Sequence, residues 1–158
     1  MSQHKGGSPM VYALNVANNI LKRAFRENVD ITPMKLQKLL YFVYKSYLQT
    51  TGAKLFEEHF QTWRYGPVVE SVYNEFRGYG SNHISSLYKD ERGQVWTVDE
   101  PNSPEARASI DFVWRNYSQY DGIVLSGYTH MPDTAWYKAF KAGRGFLSDA
   151  DIQAEEWV

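Results

Sequence analysis

Ile31-Thr32-Pro33-Met34-Lys35-Leu36-Gln37-Lys38-Leu39-Leu40-Tyr41-Phe42-Val43-Tyr44 is the stretch that decides the fold. Thr32 is of the type that caps a helix, Pro33 suits the first helical position, and Ile31 can staple onto Leu36. From Leu39 to Tyr44 every residue is apolar or aromatic, so a helix here has no wet face and must be enclosed on nearly all sides. Gly52 offers it a left-handed stop. The pattern predicts a central helix around which the rest of the chain packs.

Upstream, Ala13, Val16, Ala17, Ile20, Leu21 and Ala24 recur at helical spacing and give an amphipathic helix near 10 to 27, ended by Asn28. Downstream, Phe60 to Tyr65 reads as a short extended segment ending at Gly66-Pro67. A helix then starts at Pro67, with Glu70 in its first turns and Val69, Val72, Tyr73 and Phe76 as its buried stripe. Leu87 to Lys89 and Gln94 to Val98 flank a glycine-containing loop, Asp90 to Gly93, of hairpin length. Ser103-Pro104 starts another helix carrying Ile110, Val113, Trp114 and Tyr117, stopped at Asp121-Gly122. Two shorter helices over 123–131 and 134–141 follow, the second capped by Asp133 and closed by Gly143 and Gly145, and then an acidic tail helix starting at Ser148. The expected fold is mainly α (α+β): a single-domain bundle of about six helices over residues 10–158, with a small β-hairpin at 87–98 and a flexible segment at 1–9.

Composition narrows the function classes. The chain has 158 residues and no cysteine, which removes disulfides, thiolate metal sites and thiol nucleophiles and points to the cytoplasm. No apolar run approaches the ~20 residues of a membrane helix. Residues 1–54 carry eight Lys or Arg against two acids, while the remainder carries nine against sixteen. Such a split fits two halves folded against each other, or a basic face for an acidic partner or nucleic acid.

Lys35, Lys38 and Lys45 fall near one face of the central helix, with Gln49 continuing the stripe. Exposed, they could grip acidic groups of a partner; otherwise they form a solvated stripe whose stems cover apolar surface. Gln37 lies off the stripe, next to a buried stretch, and is expected to satisfy a backbone group or a tyrosine hydroxyl. Trp63, Arg64 and Tyr65 could present a binding edge of the residue types that dominate interfaces, while Gly66 and Pro67 solve a backbone turn. Ser126, His130 and Asp133 invite a triad reading, but no nucleophile-elbow sequence surrounds Ser126, and His130 reads better as a hydrogen-bonded histidine fixing the turn from Thr129 to Trp136. The four histidines, His4, His59, His83 and His130, sit in four separate segments, without a metal-ligand spacing. No cofactor is called for.

The run Thr32-Pro33-Met34-Lys35-Leu36-Gln37-Lys38, followed by Phe60, Trp63, Tyr65-Gly66-Pro67-Val68 and Tyr73, and later by Leu125-Ser126, Thr129-His130 and Trp136, resembles the Panacea domain of SocA-like antitoxins and phage-associated proteins. The likeness spans roughly residues 10 to 142. One departure is Ala135 before the final tryptophan, where the family often has proline; here the proline is Pro132. The resemblance implies a non-enzymatic antitoxin that neutralises a toxin protein by direct contact and in some members hands it to a cytoplasmic protease. A homodimer is compatible with so aromatic a short chain. The competing readings are a DNA-binding autoregulator using the basic N-terminal helices, which lacks a visible recognition helix, and a small hydrolase using His130.

Overall fold

The structure is a computed structural model that describes residues 10–158. The segment 1–9, expected to be flexible, lies outside the described residues. Seven helices and a two-stranded antiparallel hairpin are present among them: α1 (Ala13–Glu27), α2 (Pro33–Thr51), β1 (Gln61–Trp63), β2 (Gly66–Val68), α3 (Glu70–Phe76), α4 (Pro104–Tyr117), α5 (Gly122–Thr129), α6 (Ala135–Lys141) and α7 (Asp149–Ala154). The fold is mainly α with one small hairpin, as the periodicity implied.

The helix α2 is the axis. The Thr32 hydroxyl accepts from Lys35 N–H at 3.2 Å, Pro33 occupies the first turn, and Gly52 closes the helix at φ 74°. Helices α1, α3, α4, α5 and α7 and strand β2 all pack on it. Leu36, Leu39, Leu40 and Tyr41 are completely buried. Rings surround it: Tyr41 meets Phe60 edge-on at 5.2 Å, Phe42 stacks on Tyr117 at 4.9 Å, and Tyr44 leans on Phe56 at 4.9 Å.

The expected hairpin at 87–98 is a correction. No strand forms there; a turn at Asp90 to Gln94 does. The reason is visible on α1, where Asn18 and Asn19 are buried. The Asn18 amide donates to Tyr88 O and Trp96 O and accepts from Tyr88 N–H; the Asn19 amide donates to Val98 O and accepts from Val98 N–H. Backbone groups that a ladder would have paired are taken by two side chains of a helix.

The hairpin forms earlier, where the sequence reading has one extended segment and then a helix from Pro67. Gln61 pairs with Val68, Thr62 with Pro67 and Trp63 with Gly66, so Pro67 lies in a strand and α3 begins only at Glu70. The outer edge of β1 is covered by residues 145–147, with Thr62 N–H donating to Gly145 O and Leu147 N–H to Phe60 O at 2.9 Å each. Two caps also differ from expectation. Asp121 does not stop α4, which ends at Tyr117, but caps α5 through Val124 N–H; Thr134, not Asp133, caps α6 through Tyr137 N–H. Asp133 adopts the left-handed φ of 72° that lets Thr134 take the capping position.

The C-terminal segment is held by α2. The Glu155 carboxylate is buried and accepts from Tyr41 OH, Lys45 Nζ and Ala135 N–H at 2.8, 2.9 and 2.8 Å. Gln49 donates to three backbone carbonyls between 152 and 155 and accepts from Trp157 Nε1.

Glu155→Ala should destabilise the protein by about 3–5 kcal/mol, because it strands the Lys45 ammonium in the core. Combining Lys45→Met with Glu155→Gln should recover most of the loss, and urea unfolding of the parent and the two variants measures it. Gly66→Ala should cost about 1–3 kcal/mol from backbone strain alone, since Gly66 sits at φ 116°. An added Cβ would also lie 2.7 Å from Thr129 Oγ1 and 2.8 Å from Lys38 Cε; a melting temperature equal to the parent's would contradict both points.

Candidate functional site

Most of the residues that the sequence singles out converge on one short piece of backbone, residues 63–69. Three successive carbonyls in the hairpin turn each receive a side-chain contact from a different residue. Trp136 Nε1 on α6 donates to Trp63 O at 2.7 Å, His130 Nε2 lies 2.8 Å from Arg64 O, and Ser126 Oγ on α5 donates to Tyr65 O at 2.6 Å. From α2, Lys38 Nζ donates to Pro67 O at 3.1 Å, while the Gln37 amide both accepts from Val69 N–H and donates to Val69 O. The turn is therefore fixed from three helices at once, which leaves it little conformational freedom.

The holders are themselves braced. His130 Nδ1 lies 2.6 Å from Ser126 O, and its ring sits 3.9 Å from the Trp136 ring, centroid to centroid. Thr129 Oγ1 donates to Ser126 O, and the Thr134 hydroxyl donates to Thr129 O. Gly66 is required here because Thr129 and Lys38 close over it. The Ser126, His130, Asp133 triad is not assembled: the serine hydroxyl donates to a backbone carbonyl, and both ring nitrogens face backbone carbonyls. Among the described residues no three His, Cys, Asp or Glu side chains gather as a metal set.

While the backbone of the turn is held, its side chains project. Arg64 is exposed and lies over the Tyr65 ring at 5.5 Å; Tyr65 is 58 % exposed. Trp63 is half-buried, its Nε1 donating to Gln61 Oε1 and its ring meeting Tyr73 of α3 at 4.7 Å. Behind this edge lies a groove of about 450 Å³ between the start of α2, the hairpin and α3, lined among others by Met34, Leu36, Lys38, Val72, Tyr73 and Phe76.

The lysine stripe requires correction. Lys35, Lys38 and Lys45 are not on the surface: all are buried, Lys38 and Lys45 to 1 % exposure. Enclosure of α2 leaves no wet side for them, and each is accommodated differently. Lys35 Nζ donates to Ser118 O at the C-terminal end of α4, where a cation is favoured. Burial lowers its pKa, with Asp121 and Asp30 opposing. Lys45 pairs with Glu155, donates to Glu156 O and lies 4.0 Å from the Trp157 ring centroid; burial still lowers its pKa against the pull of Glu155. Among the described residues Lys38 donates to Pro67 O alone, and burial lowers its pKa to about 7. The sequence reading missed Asn18, Asn19 and Glu155. The only trace of the first two in the sequence is a pair of amides on the apolar face of an otherwise regular amphipathic helix.

The family model described as "Antitoxin SocA-like, Panacea domain" matches residues 36–137. The protein named Antitoxin SocA from Caulobacter vibrioides is 30% identical over 129 residues, covering 80% of this chain and 69% of that one. No solved structure matches. Among the described residues no helix is long and apolar enough to cross a membrane. With the matched segment holding α2 from Leu36 onward, the clamped hairpin, Ser126, His130 and Trp136, the chain belongs to the SocA-like Panacea domain family.

Proposed function

We propose that this chain is an antitoxin that neutralises a protein toxin by binding it directly through the Trp63-Arg64-Tyr65 edge. The observation that carries the reading is the contrast within the turn: carbonyls 63, 64 and 65 are each held by a side chain from α5, α6 or the turn between them, while Tyr65 and Arg64 stay exposed. Tyr, Trp and Arg are the residue types that dominate interface energy, and holding them still in advance lowers the cost of binding. Membership of a family named for an antitoxin, and likeness to Antitoxin SocA, support the same class of function. The chemistry at His130 supports contact over turnover, because both ring nitrogens are taken up by the scaffold.

The DNA-binding alternative loses much of the basic N-terminal half, which keeps Lys22 and Arg26 of α1 exposed. Lys35, Lys38 and Lys45 face inward, and Arg23 is tied to Glu100 and Asp111. Phosphate contacts need cations on the surface. Proteolytic delivery of the toxin is an extension of the same binding step, since an adaptor must hold its cargo first.

Expression of the reading frame adjacent to this gene should arrest growth, and co-expression of this chain should restore it and give a co-purifying complex. If the toxin is only blocked, its level should stay constant; if it is delivered to a protease, its half-life should shorten while growth recovers. Replacing Arg64 and Tyr65 by alanine should weaken the complex by about 2 kcal/mol or more while the chain's own unfolding shifts by less than about 0.5 kcal/mol. Titration calorimetry paired with thermal unfolding checks both numbers, and an unchanged affinity would reject this edge as the contact.

A further inference from the structure

His130 stands where α5 ends, and each of its ring nitrogens meets a backbone oxygen. Nδ1 lies 2.6 Å from Ser126 O and Nε2 lies 2.8 Å from Arg64 O. A carbonyl oxygen has no proton to offer, so each contact needs an N–H on the ring side. The hydroxyl within reach, Thr129 Oγ1 at 3.3 Å from Nδ1, gives its own proton to Ser126 O at 2.7 Å. A neutral imidazole has one N–H and one lone pair, which would set a nitrogen lone pair against an oxygen at hydrogen-bond distance. The imidazolium, with two donors, fits both contacts.

Two further features of the surroundings favour a cation here. Ser126 lies in the last turn of α5, where the carbonyls carry partial negative charge. The Trp136 ring lies 3.9 Å from the imidazole, centroid to centroid, and offers it an electron-rich face. We propose that His130 is a proton-dependent clamp on the hairpin turn: as the imidazolium it ties the Arg64 carbonyl to the end of α5, and on losing one proton it keeps Ser126 O and releases Arg64 O. The Arg64 contact is the one released because it is the longer and is exposed, so water can replace it, whereas the Ser126 contact is partly buried. The turn is thus held at carbonyls 63, 64 and 65 on the acid side of the titration and at 63 and 65 alone on the alkaline side. This device does not depend on what the edge binds.

The titratable and charged groups around the ring are few. The turn brings Arg64 and Tyr65, and α2 brings Lys38, which lies behind Gly66 and Thr129. Asp133 and Lys138 line a separate pocket toward the C-terminal segment, and among the described residues no acid pairs with the ring. The second ring proton makes its hydrogen bond only in the folded chain, so the stability it adds is present on the acid side and is lost as pH rises through the titration of the ring. Lys38 acts in the opposite sense: its pKa is lowered to about 7, so the stability linked to it is gained as pH rises from there toward the ordinary lysine range. The other described histidines, His59 and His83, are exposed. A comparison of the parent with a variant at 130 alone removes all three backgrounds.

The test uses the isotope-labelled full-length chain and the variant His130→Gln, which stays neutral at every pH and can still donate a hydrogen bond. In magnetic resonance spectra taken from about pH 5.5 to about pH 8, the range in which histidines change charge, the carbonyl carbon signal of Arg64 should move in the parent. Those of Trp63 and Tyr65, held by Trp136 and Ser126, should stay nearly still. The proton left on the ring at the alkaline end should be on Nδ1. In urea unfolding, the advantage of the parent over His130→Gln should shrink by about fivefold or more in equilibrium constant across the same range, the size of effect expected for a cation at a helix C-terminus. A histidine with a purely structural role gives the variant the same deficit at both ends of the range, so a change below about twofold overturns the proposal. An Arg64 carbonyl that moves no further than its two neighbours overturns it as well, as does a neutral ring with its proton on Nε2. Should His130→Gln fail to fold, the two spectroscopic readouts on the parent decide the matter.

Discussion

The backbone of residues 63–69 cannot satisfy itself. A three-residue strand paired to another leaves carbonyls pointing out of the ladder, and Pro67 contributes no N–H. Within a bundle those groups must find partners or stay in water. This chain supplies the partners from side chains: Gln37 and Lys38 from α2, Ser126 from α5, His130 from the end of α5 and Trp136 from α6. Each helix that contributes a partner is fixed in its approach to the hairpin, so the placement of α5 and α6 against α2 follows from the needs of one turn. The caps of those helices, Asp121 and Thr134, fit that demand, because a helix that begins one residue later presents a different side chain to the turn.

A lysine inside such a core is costly unless its charge is shared or lost. The chain uses different solutions along one helix. At Lys35 the carbonyl end of α4 carries the partial negative charge; at Lys45 a carboxylate arrives from more than a hundred residues away. At Lys38 burial favours the neutral amine, and a single carbonyl accepts from it. The aliphatic stems meanwhile do the work of leucines. Such a core need not be more stable for its charges, since well-packed apolar residues of the same volume often serve as well or better.

Much of the fold is legible in the sequence because helices announce themselves locally. Thr32-Pro33, the unbroken apolar run to Tyr44 and Gly52 fix α2 without any knowledge of its neighbours. What fails to be legible is whatever depends on a partner distant in the chain. The segment 87–98 has the alternation and the glycine turn of a hairpin, yet Asn18 and Asn19, some seventy to eighty residues earlier, take the hydrogen bonds that would have made it one. The lysines fail for the same reason. Spacing places them on one face correctly, but whether that face is wet depends on β2, α4 and the C-terminal segment closing over it. At the site, Gly66-Pro67 and the Ser126, His130 and Trp136 cluster are recognisable as residue types, but the common target of the last three, the carbonyls of 63 to 65, is a tertiary fact that no local pattern encodes.

Clamping the proposed binding edge through its carbonyls has a consequence for what that edge can become. A carbonyl is the same group in every residue, so the donors from Ser126, His130 and Trp136 make no demand on the side chains at 64 and 65. Those side chains point outward, and neither is in the buried core. Substitution at 64 or 65 therefore changes what the edge can meet without disturbing how it is held, while substitution at Gly66, Ser126 or Trp136 changes how it is held. Scaffold and specificity are thus carried by different atoms of the same few residues. A surface built this way can be redirected to an unrelated partner by changes that cost almost nothing in stability, provided the backbone partners are kept.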